Sequence, residues 1–144
     1  MVEEITISVL NRDEYLASPI EIGLDKDWVN KSRNFDERMK SQGIYVLHTP
    51  TPLRIFYVGK TRGPTMDFHT RLYRHATKPA SSDSKVYRAL KKMEKENGKP
   101  ILVALITLEQ IRSLFKGKQL EDAAMIDIYE QVLIHLLKPE IQEE

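Results

Sequence analysis

Cysteine is absent from this chain of 144 residues, and long hydrophobic runs are absent as well. Without cysteine the chain has no disulfide framework, no thiolate nucleophile and no cysteine-based zinc site. The longest purely apolar run, 101–106, is far too short to span a bilayer. The first residues carry acid where a signal peptide would carry positive charge before an apolar stretch. We therefore expect a cytoplasmic protein with no membrane partner.

Internal repeats and low-complexity segments are also missing, and no residue type dominates. At 41% hydrophobic residues, the chain has too much apolar side chain for intrinsic disorder. Its length suits one compact domain with a core of ordinary size.

The patterns of apolar residues predict both strands and helices. Strands are predicted at 2–10, 43–49, 53–59 and 101–106. Helices are predicted at 25–40, 65–76, 82–96, about 107–115 and 121–137. The fourth of these helices opens on a possible capping box of Thr107 and Gln110, and Gly117 is expected to break it. The predicted class is α/β (α+β), with a small central mixed sheet that begins with a β-hairpin and is flanked by helices.

A strong net charge is lacking too, since the total is only +1. The average hides a gradient along the chain. Residues 60–92 hold nine basic and two acidic residues, a net of +7, whereas 119–144 hold one basic and seven acidic, a net of −6. The segment 1–42 has a net of −3, from six basic and nine acidic residues. A basic middle is compatible with a phosphate-binding face, and equally with an ordinary solvated helix surface.

The hairpin is predicted to bring two tyrosines together. With Pro50-Thr51-Pro52 as its turn, the closing register pairs Leu53 with Thr49 and places Tyr57 opposite Tyr45. The two phenols then lie on the same face, and each strand has a glycine at the same end. Such a pair either serves chemistry or simply packs.

Charged residues on two helices are candidates for chemistry. Arg71 and His75 are four residues apart, so they share one helical face. Glu130 interrupts an apolar stripe on the last helix, where an ionised carboxylate costs several kcal/mol unless it is paired or binds a metal. The alternative to a metal ligand is a structural ion pair of Glu130 with Arg71 or Lys60.

Together these segments resemble the signature of the GIY-YIG nuclease superfamily. The matching segments are Gly43-Ile-Tyr45, Tyr57-Val-Gly-Lys60, Arg71-Leu-Tyr-Arg-His75 and Glu130-Gln-Val-Leu-Ile-His-Leu-Leu-Lys-Pro139. The resemblance implies a GIY-YIG-like nuclease domain at 43–144, with 1–42 as an N-terminal extension packed on it. The sequence departs from the family in a longer stretch between Tyr57 and Arg71. It also has Gln142 in place of the usual asparagine, and Val58 in place of isoleucine.

The activity implied by the resemblance is metal-dependent hydrolysis of phosphodiester bonds in DNA. Glu130 would hold one Mg²⁺ or Mn²⁺ ion, and Arg71 would neutralise the pentavalent transition state. Tyr45 would be the base or relay and Tyr57 would position phosphate and water, with His75 as a rival base. The alternative is a catalytically inactive GIY-YIG-like module that binds nucleic acid or protein, and RNA stays open as a substrate.

The expected partner is double-stranded or branched DNA, and a homodimer is possible. The helix 82–96 is the expected phosphate-tracking surface. The candidate DNA-binding residues are Lys60, Arg62, Arg74, Lys78, Lys85, Arg88, Lys91, Lys92 and Gln142.

Overall fold

The computed structural model describes residues 3–16, 20–22, 37–49, 53–61, 66–77, 88–89, 92, 95 and 101–141, with backbone alone at 20–22 and 73–77. The strands are β1 (Ile5–Ile7), β2 (Ile20–Ile22), β3 (Gly43–His48), β4 (Ile55–Thr61), β5 (Ile101–Thr107) and β6 (Phe115–Gly117). The α-helices are α1 (Arg12–Tyr15), α2 (Phe68–Thr77), α3 (Leu108–Leu114) and α4 (Asp122–Leu137). A 3₁₀ helix, Glu37–Lys40, precedes β3.

The main sheet has the strand order β2-β5-β3-β4, and β1 pairs with β6 in a second, two-stranded sheet. Every one of these described pairings is antiparallel, so the expected mixed sheet was wrong. The reason is that β4 and β5 both run opposite to β3, one on each side of it, and β2 runs opposite to β5. The described part of the chain is therefore an α+β fold with two small antiparallel sheets.

The hairpin of β3 and β4 forms, but its register differs by two residues from the expected one. The turn closes on Arg54 rather than Leu53, because the Thr49 N–H donates to the Arg54 carbonyl at 3.0 Å. A bulge then adds a second residue, since His48 pairs with Ile55 but Leu47 pairs with Tyr57. Side chains alternate with a period of two, so a shift of two residues keeps the tyrosines on one face.

The two faces of the main sheet are each covered by a helix. The α2 face carries Tyr45, Leu47 and Tyr57, which pack with Phe68 and Leu72 of α2. The α4 face carries Ile44, Val46 and Val58, which pack with Ile126, Tyr129 and Leu133 of α4. Because both faces are buried, β5 reads as a nearly continuous apolar run, and its predicted internal position is confirmed.

Two of the predicted helices have the expected boundaries. The helix α3 starts with a complete capping box, in which the Gln110 N–H donates to the Thr107 hydroxyl and the Thr107 N–H to the Gln110 side chain. The helix α4 ends at Leu137, where Lys138 adopts the left-handed conformation with a φ of 48°. The predicted helix 65–76 is α2, and its start is fixed by a 2.7 Å hydrogen bond from the Thr70 N–H to the Asp67 carboxylate.

Other predicted elements are shorter than expected or were missed. The strand at 2–10 is reduced to β1, and α3 is followed by β6 rather than by a break at Gly117. The strand β2 was not predicted. Of the predicted helix 82–96, residues 88, 89, 92 and 95 are described and are helical. Of 25–40, the described residues form the 3₁₀ helix, and the rest lies outside the described residues.

Segments before residue 43 contact the later part of the chain. Besides the pairing of β1 with β6 and of β2 with β5, the Leu10 N–H donates to the Tyr129 hydroxyl at 2.9 Å. The boundary between 1–42 and 43–144 stays a prediction. Among the described residues, no helix combines the length and the apolar character needed to cross a membrane.

Gly43, at the start of β3, has a backbone that other residues rarely adopt. Its φ is +150°, and a Cβ there would overlap the Ile106 carbonyl oxygen and come within 3.1 Å of the Leu108 nitrogen. These neighbours are backbone atoms held in the sheet and at the start of α3, so they cannot move aside cheaply.

We therefore expect Gly43→Ala to lower the free energy of unfolding by roughly 2–3 kcal/mol, as measured by urea denaturation. Ser41→Ala, two residues earlier, adds no Cβ and should change stability by less than about 0.5 kcal/mol. Equal stability of the two variants would contradict the close approach of β3 to β5.

Candidate active site

Tyr45 lies against Gly59, its partner in the β3–β4 register. The tyrosine is completely buried, and a Cβ on Gly59 would overlap its Cζ and hydroxyl oxygen. Phe68 holds the ring from the other direction, edge to face, with the centroids 6.5 Å apart. The ring therefore occupies space that exists because residue 59 has no side chain.

Two groups meet the Tyr45 ring and hydroxyl on the α2 face. The Nε of Arg71, from the second turn of α2, is 3.4 Å from the Tyr45 hydroxyl oxygen. The Tyr57 ring is tilted by 40° to the Tyr45 ring, with the centroids 6.0 Å apart. The two tyrosines are diagonal neighbours and not directly opposed, because the register is shifted. The structure thus brings together three of the predicted catalytic residues.

Burial controls the protonation of Tyr45. Desolvation, together with the neighbouring Tyr57, raises the pKa of the Tyr45 phenol well above its ordinary value, although Arg71 opposes the rise. A phenol with a raised pKa keeps its proton at neutral pH. The protonated Tyr45 phenol can donate or relay a proton. It can act as a base only after it has lost its own proton.

Glu130 lies on the opposite, α4 face of the sheet. It is only 7% exposed, and its Oε1 is 3.3 Å from the Nζ of Lys60. The same ammonium group is 2.9 Å from Oδ1 of Asp127, one turn earlier in α4. This Lys60–Asp127–Glu130 cluster realises the ion pair that the sequence offered as an alternative for Glu130.

The charges of the cluster shift each other's protonation. Burial raises the pKa of Glu130, and the positive charge of Lys60 only partly offsets that rise. Burial alone would lower the pKa of Lys60, but hydrogen bonding to Asp127 and the charges of both carboxylates raise it. The Lys60 ammonium therefore stays protonated at neutral pH. Ionisation of Glu130 in its buried position, in contrast, costs free energy.

The edge strand β4 lies between the two groups of residues. On one side are Tyr45, Tyr57 and Arg71, and on the other are Lys60 and Glu130. Among the described residues, β4 is the last strand of the main sheet. The chain near Gln142 also reaches this strand, since the Ile141 N–H donates to the Phe56 carbonyl at 2.7 Å.

The remaining predicted site residues are placed only in part. Arg74 and His75 belong to α2, three and four residues after Arg71, and Arg88 and Lys92 are exposed and helical. The others lie outside the described residues: Arg62, Lys78, Lys85, Lys91 and Gln142.

Asp127 and Phe68 were not among the predicted site residues. Asp127 could have been found from helical spacing, because residues three apart on a helix are neighbours. Phe68 carried no such signal, since its contact with Tyr45 depends on how α2 packs on the sheet.

Oxygen ligands at the cluster suit a hard divalent ion. Within the described ranges, no three His, Asp or Glu side chains gather at one point. Glu130 and Asp127 nevertheless present two carboxylates to one ammonium, and Mg²⁺ is commonly held by one or two carboxylates, with water and phosphate as its other ligands. The residues therefore fit such an ion, with Glu130 as the buried donor and Lys60 in the position of a competing cation.

A cavity of about 640 Å³ lies elsewhere, where β5 meets α3, and its lining contains none of the predicted site residues. Comparison of the chain with protein-family models, curated proteins and solved structures finds no match.

The raised pKa of Glu130 has a consequence for stability. A carboxyl group with a raised folded-state pKa contributes stability that is complete below its unfolded pKa and is lost as the pH rises through the folded pKa. Glu130→Gln cannot ionise. We expect its melting temperature, relative to wild type, to increase as the pH rises from about 4 to about 7.

Asp122→Asn, at the start of the same helix, is the matched control. Its hydrogen bond to Arg112 lowers the pKa of Asp122, so its ionisation stabilises the fold. The variant should lose melting temperature relative to wild type as the pH rises to about 5 and change little from there to about 7, because Asp122 is then ionised in both the folded and the unfolded state. If the melting temperature of Glu130→Gln also falls relative to wild type as the pH rises, the attraction of Lys60 fully offsets the cost of burying the charge of Glu130.

Proposed function

We propose that the protein is a cytoplasmic, metal-dependent endonuclease that hydrolyses phosphodiester bonds of DNA, with a GIY-YIG-like domain at 43–144. The observation that carries the proposal is the arrangement around β4. A guanidinium contacts a buried phenol on one face, and a buried carboxylate lies on the other. These are the residue types that phosphoryl chemistry uses: a fixed cation, a proton relay and an oxygen ligand for a divalent ion.

Arg71 has the role of binding the phosphate. A guanidinium has five N–H donors in a planar fork, and the contact of Nε with the Tyr45 hydroxyl uses one of them. That contact holds the guanidinium beside the buried phenol. A fixed positive charge stabilises the pentavalent phosphorus without having to reorganise during the reaction.

The tyrosines orient the attacking water and relay its proton. Because burial keeps Tyr45 protonated, it can take the proton of the water only by passing its own proton on, through its hydrogen bond to Tyr57 and from there to solvent. Tyr57 packs beside it and positions water and phosphate. His75, one helical turn after Arg71, is the alternative acceptor for the proton of the water, because an imidazole has an ordinary pKa near 6.5.

Glu130 is the residue that would hold Mg²⁺ or Mn²⁺, with Asp127 beside it. When bound, such an ion stabilises negative charge on the phosphate and the leaving 3′ oxygen. Lys60 carries the same sign of charge as the ion, so its present contact with Glu130 has to change for the ion to bind.

Double-stranded or branched DNA is the proposed substrate, and a homodimer would allow cleavage of both strands. The basic stretch 60–92 includes the exposed, helical Arg88 and Lys92. Contacts of this kind bind phosphates without reading the sequence.

One observation favours the second candidate, an inactive module that binds nucleic acid or protein. The 3.3 Å contact of Lys60 with Glu130 is what a purely structural ion pair would show. The buried phenol, its guanidinium partner and the glycine that admits the ring have no evident role in such a module.

Cleavage assays with Mg²⁺, Mn²⁺ or EDTA separate the two candidates, using supercoiled plasmid and branched and single-stranded oligonucleotides. We expect metal-dependent nicking that Glu130→Ala and Arg71→Ala each reduce by on the order of a hundredfold or more, with DNA binding retained by Glu130→Ala. Arg71→Lys should not restore activity, because an ammonium lacks the planar fork.

Asp122→Asn, an exposed carboxylate of the same helix, should cleave like wild type. If Glu130→Ala instead keeps its activity per folded molecule and loses thermal stability, Glu130 is only a structural partner. Salt-sensitive binding without cleavage of any substrate would establish the inactive module.

Replacing the four basic residues of 82–96 with Gln tests the DNA path. These residues are Lys85, Arg88, Lys91 and Lys92. We expect binding to weaken on all sequences alike and the salt dependence to flatten by about one unit of slope for each lost phosphate contact, as measured by fluorescence anisotropy. A change in sequence preference alone would exclude a phosphate-tracking role.

A further inference from the structure

The Lys60–Asp127–Glu130 cluster holds one ammonium between two carboxylates that differ in exposure. The Glu130 side chain is 9% exposed and that of Asp127 is 41% exposed. Lys60 contacts both, and its contact with Asp127 is the shorter, at 2.9 Å against 3.3 Å. Asp127 is therefore the outer of the two partners, and Glu130 is the inner one.

A second cation at Glu130 requires Lys60 to withdraw. Two positive charges that share one buried carboxylate oxygen repel each other strongly, because the surrounding dielectric is low. The long, flexible lysine stem allows the ammonium to move without moving β4. Since Asp127 lies one helical turn from Glu130 and closer to water, Lys60 can leave Glu130 and still keep a charged partner.

We propose that Asp127 is a positioning residue, which retains the Lys60 ammonium and thereby releases Glu130 to a divalent ion. The inference rests on the proposed function, and adds to it a residue outside the GIY-YIG signature. In the state described here, Lys60 supplies the positive charge that Glu130 needs. In the ion-bound state, Lys60 remains with Asp127.

The proposal makes the effect of Asp127 depend on Lys60. Without Asp127, Lys60 has only Glu130 as its carboxylate in the cluster, and competes with the ion more strongly. Without Lys60, there is no competitor for Asp127 to hold away. If Asp127 is a positioning residue, its substitution therefore weakens ion binding only when Lys60 is present. If Asp127 is a metal ligand, its substitution weakens ion binding with or without Lys60.

A double-mutant cycle on ion binding tests this dependence. Mn²⁺ binding to the full-length protein without DNA is measured by electron paramagnetic resonance, for wild type, Asp127→Asn, Lys60→Met and the double variant. We expect Asp127→Asn to weaken binding by on the order of tenfold and Lys60→Met to tighten it. The double variant should bind as tightly as Lys60→Met alone.

Two further variants act as controls. Asp127→Glu keeps a carboxylate within reach of Lys60 and should restore binding to within about threefold of wild type. Asp122→Asn should leave binding unchanged, because Asp122 pairs with Arg112 and lies outside the cluster. Thermal melts of each variant show whether it folds.

The outcomes separate this inference from the proposed function. If Asp127→Asn weakens Mn²⁺ binding equally with and without Lys60, Asp127 is itself a ligand and the positioning role is wrong. The same holds if Asp127→Asn has no effect in wild type. If Glu130→Gln still binds Mn²⁺ as wild type does, or if no variant binds it, the proposed metal site fails and the positioning role fails with it.

Discussion

Complete burial of β3 is the constraint on which the rest of the structure depends. All six of its residues are buried, and it is hydrogen-bonded to β4 on one side and to β5 on the other. A strand with no exposed face and no exposed edge fixes the register of both neighbours. It also requires a cover on each face, and α2 and α4 provide those covers.

The chemistry-bearing side chains are divided by this architecture. Alternation along β3 and β4 sends the tyrosines to α2 and Lys60 to α4, so the phenols and the carboxylates are kept apart by the sheet itself. Burial has opposite consequences on the two sides: it keeps the Tyr45 proton in place and makes the charge of Glu130 costly.

Much of the fold could be predicted from the sequence because local signals were strong. The capping box of Thr107 and Gln110, the end of α4 at Leu137 and the continuous apolar run of β5 all depend on short-range chemistry. The strand β2 could not be found in this way. Its three residues become a strand only by pairing with β5, which is distant in the chain. The mixed sheet failed for a related reason, since strand direction is set by long-range pairing.

The sequence indicated candidate residues for the site more readily than it indicated which of them contact each other. The isolated acid on an apolar stripe identified Glu130, and spacing identified Arg71. Which cation would pair with Glu130 was open, because the sequence does not show whether Lys60 or Arg71 lies on the same face of the sheet as Glu130. The faces of the sheet decide it: Lys60 follows Val58 on the α4 face, while Arg71 lies on the helix that covers the other face.

The turn and the bulge of the β3–β4 hairpin also limit how its length can vary. Each shifts the pairing of β3 with β4 by one residue relative to the register that pairs Leu53 with Thr49. One such shift would turn every side chain of β4 to the opposite face, and the second shift turns it back. A single insertion or deletion between Thr49 and Tyr57 would turn Tyr57 and Gly59 to the α4 face and Val58 to the α2 face, unless the bulge absorbed it. Length changes compatible with this core therefore come in pairs, which is a practical rule for anyone grafting or shortening this loop.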